Sequence, residues 1–139
     1  FTALVPTYTT APATVPIPAS IITANPSLSD FQLLTSEHKA NILVDEKDSK
    51  TVILSAGLFS EDVERVTGFK PAIINDSREA NSSCVIIGSI ESSRIIKKLI
   101  SDKKIDVSQI KGKWEACITQ VVENPLPGVE MALVIAGSD

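Results

Sequence analysis

The sequence predicts an α/β (α+β) domain, a mixed β-sheet carrying two amphipathic helices, and three observations predict it. Short apolar runs of strand length alternate along the chain with two segments of helical period, in the order β, β, α, β, β, α, β, β. The run Met131 to Ala136 is continuously apolar, as in a central strand covered on both sides. The chain has 139 residues, 43% hydrophobic and 22% charged, which suits one domain with a real core. Aromatic residues make up only 4%, so Ile, Val, Leu and Ala must fill that core.

Residues 1–29 hold no Asp, Glu, Lys or Arg and five of the 8 prolines, at 6, 12, 16, 18 and 26. Proline this dense forbids helix and central strand. The expectation is an extended lead-in over 1–29, lying against the surface of a domain that spans 30–139. Phe31 to Leu34 reads as a short edge strand and Ala40 to Asp45 as a better one. Lys50 to Thr67 reads as a helix, because Val52, Ala56, Phe59, Val63 and Val66 recur at steps of four and three. Asp48 or Ser49 can cap its start, and Gly68 can end it in a left-handed turn.

Pro71 to Asn75 and Cys84 to Ile90 read as strands, joined by the polar run Asp76 to Ser83. Ser92 or Ser93 caps a second helix reaching Lys103, with Ile95, Ile96, Leu99 and Ile100 on one side. Trp114 to Val122 is a strand with usable alternation, joined through a Pro-Gly turn to Met131–Ala136. Each helix has one apolar stripe, and both are expected on one face of the sheet. The lead-in or a neighbouring domain would then cover the other face. Gly137-Ser138-Asp139 supplies a turn and two residues suited to capping a helix, which raises the expectation of a chain cut inside a larger protein.

Several function classes are disfavoured. The net charge of −4 lacks the basic field that nucleic acid demands. Seven basic residues gather at Arg94, Lys97, Lys98, Lys103, Lys104, Lys111 and Lys113, but interleaved acids mark a solvated face. No apolar run approaches the length that spans a membrane. One histidine, His38 in a polar loop, and two cysteines without zinc spacing point to no metal site. The segment Gly88–Ser93 joins a strand to a helix, yet it lacks the glycines and Lys-Ser/Thr pair of a phosphate loop, so no nucleotide cofactor is expected.

Asp45 ends a strand before a helix, where α/β proteins keep functional acids, although a turn or cap role is the simpler reading. Glu61, Asp62 and Glu64 belong to a solvated helix face. Trp114 could stack on a sugar, but its place at a strand start favours packing in the core or at a domain edge. No catalytic set can be assembled. Cys84 and Cys117 are either buried free thiols or one disulfide. Two glycosylation sequons, at Asn75 and Asn81, favour a secreted, extracellular glycoprotein.

The stretches FSEDVERVTGFKPAI (59–73), CVIIGSI (84–90) and KGKWEACITQVVENPLPGVEMALVIAGSD (111–139) together resemble the N-terminal domain of glycoside hydrolase family 115. The most specific part is Trp114, Glu115, Val122, Pro125, Pro127, Gly128 and Val129, followed by the Val-Ile-Ala-Gly-Ser-Asp strand end. The resemblance covers Phe31 to Asp139 and implies a fold like the N-terminal domains of β-hexosaminidases and α-glucuronidases. That family comprises xylan α-1,2-glucuronidases, in which such a domain is an accessory module ahead of a catalytic TIM barrel. The resemblance therefore implies a parent enzyme that removes (4-O-methyl)glucuronic acid from glucuronoxylan, with the barrel of the same protein as partner and a homodimer of the parent as an open alternative. The family's catalytic acids belong to the barrel, so none falls on a residue here. Ser138 and Asp139 are then expected at the domain junction, or as a cap for the next element. The competing reading is a stand-alone carbohydrate-binding or interaction module.

Overall fold

The computed structural model describes Ser27 and residues 30–138. Most of the expected lead-in, and Asp139, lie outside the described residues. Among the described residues five strands form one sheet: β1 (Asn41–Val44), β2 (Ile73–Ile74), β3 (Ser83–Ser89), β4 (Cys117–Leu126) and β5 (Val129–Gly137), in the order β2-β1-β3-β5-β4. All neighbouring pairs run parallel except β4 with β5. The α/β fold with a mixed sheet read from the sequence is therefore present. The expected strand Phe31–Leu34 is not. Only an isolated bridge, Leu34 to Lys39, forms there. The Thr35 hydroxyl accepts from the N–H groups of Glu37 and His38 and bends the chain into a turn instead.

Helix α1 (Lys50–Thr67) starts where the Ser49 hydroxyl accepts from the Val52 N–H at 3.3 Å. It ends at Gly68, whose φ of 75° is the left-handed conformation that glycine adopts without strain. Its stripe is shorter than its period suggests. Ala56 and Val63 are buried, whereas Val66 is 86% exposed. Eighteen residues of helix run about 27 Å, roughly twice the length of a four-residue strand, so the last turn overhangs the sheet. Buried Ser60 fills the gap in the stripe by donating its hydroxyl to the Pro71 carbonyl at 2.7 Å.

Helix α2 (Arg94–Ser101) is capped by Ser93, whose hydroxyl accepts from the Ile96 N–H at 3.2 Å. It stops short of the expected Lys103, which turns at φ 55°. Ile105, Val107 and Ile110 in the following loop are buried and extend the layer that α2 begins.

The two helices do not share a face, which corrects the expectation. On one side Leu43, Cys84, Ile86, Ala132, Val134 and Ala136 pack against Ile96 and Leu99 of α2. On the other, Ile42, Val44, Val85 and Ile87 pack against Ala56 of α1, with Phe31 and Leu33 beside them. The cause is topological. The α1 crossover moves from β1 outward to β2, while α2 leads away from β3 in the opposite direction. Crossovers of one hand that travel in opposite directions along a sheet must lie on opposite faces. The α1 side stays partly open over β4 and β5, where Met131, Leu133 and Ile135 are half-buried and Val121 is 39% exposed.

β4 and β5 are joined by Pro127 and Gly128. Proline presets φ, and Gly128 takes the positive φ of 83° that the turn requires. The pairing shifts register between Glu123 and Leu126, where Asn124 adopts φ 48° and Pro125 interrupts the ladder.

Candidate functional site

β1 and β3 are neighbours whose following helices depart in opposite directions. Their carboxyl ends therefore form the switch point at which folds of this kind bind ligands. Here that position is filled from within. The Asp45 side chain, which is 0% exposed, accepts from the Arg94 backbone N–H at 2.7 Å, from Arg94 Nε at 2.8 Å and from Arg94 Nη2 at 2.7 Å. It also accepts from the Lys47 N–H at 3.0 Å. Three residues on, buried Asp48 accepts from the Ser89 N–H at 2.8 Å and from its hydroxyl at 2.7 Å. The Ser89 hydroxyl in turn accepts from the Ser92 N–H at 3.1 Å.

The loop after β1 is thus stitched to the loop after β3. The Arg94 guanidinium and the two N–H groups hold the Asp45 carboxyl well below the usual carboxylate range. The carboxylate also lies at the N-terminus of α2, the place where a bound phosphate would meet the helix dipole. The protein's own anion occupies that place. Asp45 makes a turn contact through the Lys47 N–H, as the simpler of its two readings has it, and is in addition the ion-pair partner of Arg94, which neither reading included.

The sequence places Arg94 among solvated basic residues, whereas in the fold its side chain is half of this pair. Nothing in its spacing marks a partner 49 positions away. Of the two capping candidates Asp48 and Ser49, Ser49 caps α1, and the Asp48 carboxylate bridges to β3. The signal was the pair of acids three apart directly after an apolar strand. Glu61, Asp62 and Glu64 lie on the exposed face of α1, with Arg65 and Lys70 as ion-pair partners. His38 is exposed.

Cys84 and Cys117 are both free thiols. Cys84 pairs with Ala132 and Cys117 with Gly137, so they lie on either side of β5 and about 17 Å apart along it. That separation excludes the disulfide. The expectation of two buried thiols holds for Cys84 alone, since Cys117 is exposed at the sheet edge. Burial pushes the Cys84 thiol up to about 11. Thiol reagents at neutral pH should therefore modify one cysteine rapidly in the folded chain, and the second only after unfolding. Mass spectrometry of Cys117→Ser checks the assignment, because that variant should be protected until denaturant is added.

Both sequon asparagines are exposed, and both use their side-chain amides. Asn75 Nδ2 donates to the Val44 carbonyl at 3.0 Å, and Asn81 Nδ2 donates to the Lys39 carbonyl at 2.7 Å. Ser138 is buried. Its N–H donates to the Ala116 carbonyl at 2.8 Å, and its hydroxyl accepts from the Ala116 N–H at 3.1 Å, which extends the β4–β5 ladder. Trp114 is not packed in the core. It lies before β4 rather than inside a strand, and it is 84% exposed.

No protein-family model matches the sequence, and a comparison with curated proteins finds no match.

Proposed function

We propose that this chain is the non-catalytic N-terminal module of a secreted xylan α-1,2-glucuronidase, its chemistry residing in a TIM barrel of the same protein. The reading rests on the resemblance to glycoside hydrolase family 115, and one observation carries it further. Trp114, the first residue of the most specific motif, stands 84% exposed at the carboxyl edge of the sheet. A large aromatic held out of the core is suited to contact with a surface beyond this domain. The two acids at the switch point also serve the fold, Asp45 with Arg94 and Asp48 with Ser89, which agrees with catalysis located elsewhere.

The expected result is glucuronic acid release from glucuronoxylan by the full-length enzyme and none by residues 1–139 alone. Release by the isolated chain would refute the assignment. The exposed Trp114 also favours a second reading, a carbohydrate-binding module in which the indole stacks on a sugar ring. In that case the chain alone would be retained on insoluble xylan, and Trp114→Ala would abolish the retention.

A further inference from the structure

We propose that residues 19–25 of this chain add to the sheet as a further strand, laid parallel to β4 along its outer side. β4 is a terminal strand 10 residues long, and among the described residues nothing pairs with that side. The direction of its backbone groups follows from the pairing with β5. Ala116 bonds to Ser138, so along the alternation of an antiparallel ladder Ile118, Gln120 and Val122 also face β5. Cys117, Thr119, Val121 and Glu123 therefore direct their N–H and C=O groups outward, and all four are exposed. Lysine, proline or a bulge ordinarily blunts such an edge, and here those devices begin only at Asn124 and Pro125.

The path of the chain selects the occupant. Asp30 lines one groove with Glu123, Asn124 and Met131, so the start of the domain lies beside the Glu123 end of that edge. The Asp30 N–H donates to the Ser27 carbonyl at 3.1 Å, and the Asp30 carboxylate accepts from the Ser27 N–H at 2.6 Å. This turn sets the preceding chain, residues 1–26, off the line of Phe31. Asn25 is within a reach of about 17 Å from Asp30, and the next strand position lies only about 4.8 Å outside β4. A segment that ends beside Glu123 after running along the edge is parallel to β4.

The lead-in carries one stretch suited to that position. Between Pro18 and Pro26 lies Ala-Ser-Ile-Ile-Thr-Ala-Asn, the longest run without proline in residues 1–26, and its seven residues match the seven of 117–123. It has no charge, and Ile21, Ile22 and Thr23 at its centre are β-branched. The flanking prolines stand outside it, where they cost no ladder bond. Neighbouring residues of a strand point to opposite faces, so in any register one isoleucine covers each side. On the α1 side it joins Val121, Leu133 and Ile135, which α1 leaves partly open. On the α2 side it enters the groove that Ile100, Ile105 and Val107 form beside Gln120.

Amide hydrogen exchange on the full chain tests the proposal. The N–H groups of Thr119 and Val121 should exchange at least about tenfold more slowly than free amides, at any protein concentration. Ile21→Pro with Ile22→Pro removes a donor in either register and should restore fast exchange at both, while Ile118 and Gln120 stay protected by β5. Fast exchange in the unaltered chain, or protection that survives the prolines, overturns the proposal. Protection that grows with concentration also overturns it, because a second copy then covers the edge. Should the proline variant fail to fold, a disulfide decides. Ala19→Cys lies level with Cys117, and mild oxidation should join the two within one chain at least about tenfold faster than it joins Cys117 to Ala11→Cys, although loop length alone predicts nearly equal rates. Equal rates, or a covalent dimer in place of the internal bridge, are equally fatal.

Discussion

Asp45→Ala should lower the stability of the domain by about 3 kcal/mol, the cost typical of removing one partner from a buried ion pair. The carboxylate serves four donors, from Lys47 and Arg94, at a position that is 0% exposed. The two backbone N–H groups lose their acceptor outright, whereas the guanidinium, 59% exposed, can turn toward solvent. Arg94→Ala should therefore cost less than Asp45→Ala. Urea unfolding followed by circular dichroism would order the two.

The pH dependence has a definite sign. The folded-state pKa of Asp45 lies below its unfolded value, so the unfolded chain binds the proton first as pH falls. The stabilisation is complete above the ordinary carboxylate range, about pH 4, and is lost progressively below it. The acid limb of the stability curve should flatten in both Asp45→Asn and Arg94→Ala. An unchanged limb would show that other carboxylates govern acid unfolding.

Gly88→Ala should destabilise by a similar amount, about 3 kcal/mol, at the upper end of overpacking costs. A Cβ at this position would stand 2.7 Å from Ile96 Cγ1, 2.7 Å from Ser93 Oγ and 2.8 Å from Ser93 Cβ. None of these can yield cheaply. Ile96 is fully buried against the sheet, and Ser93 is the cap that starts α2. The helix must lift from β3, and its ion pair with Asp45 would be strained with it. Gly57→Ala is the control, since a Cβ there meets nothing within 4 Å. That exchange should stabilise by up to about 1 kcal/mol through helix propensity. Equal midpoints for the two variants would refute the close-packing argument.

Local chemistry made the elements legible. Ser49 and Gly68 bound α1 where the capping residues place its ends, and Ser93 starts α2. Asn41–Val44 and Ser83–Ser89 fall within a residue or so of the apolar runs that announced them. What sequence did not carry is the assignment of faces. Strands apolar on both sides, such as Cys84–Ile87, say that both faces are covered but not by which helix. Only the crossover directions decide that, and they depend on strand order. The ion pair was hidden for a related reason, because its partners become neighbours only through the parallel pairing of β1 with β3. Trp114 shows a different limit: an indole looks like core by composition, and nothing in the sequence reveals that the strand begins after it.

The strand nearest the C-terminus is not at the margin of the sheet, since β5 lies between β3 and β4. During synthesis, the ribosome delivers β1, β2, β3 and both helices long before residue 137. Until then the inner edge of β3, with Cys84 to Ile87 at its centre, has no strand beside it. β4 does not take that place, since among the described residues it pairs with the strand that follows it. The nascent chain therefore displays an open apolar edge until the β4–β5 hairpin has emerged, a window in which chaperone capture or misassociation is favoured. Closing the sheet awaits the arrival of the β4–β5 hairpin.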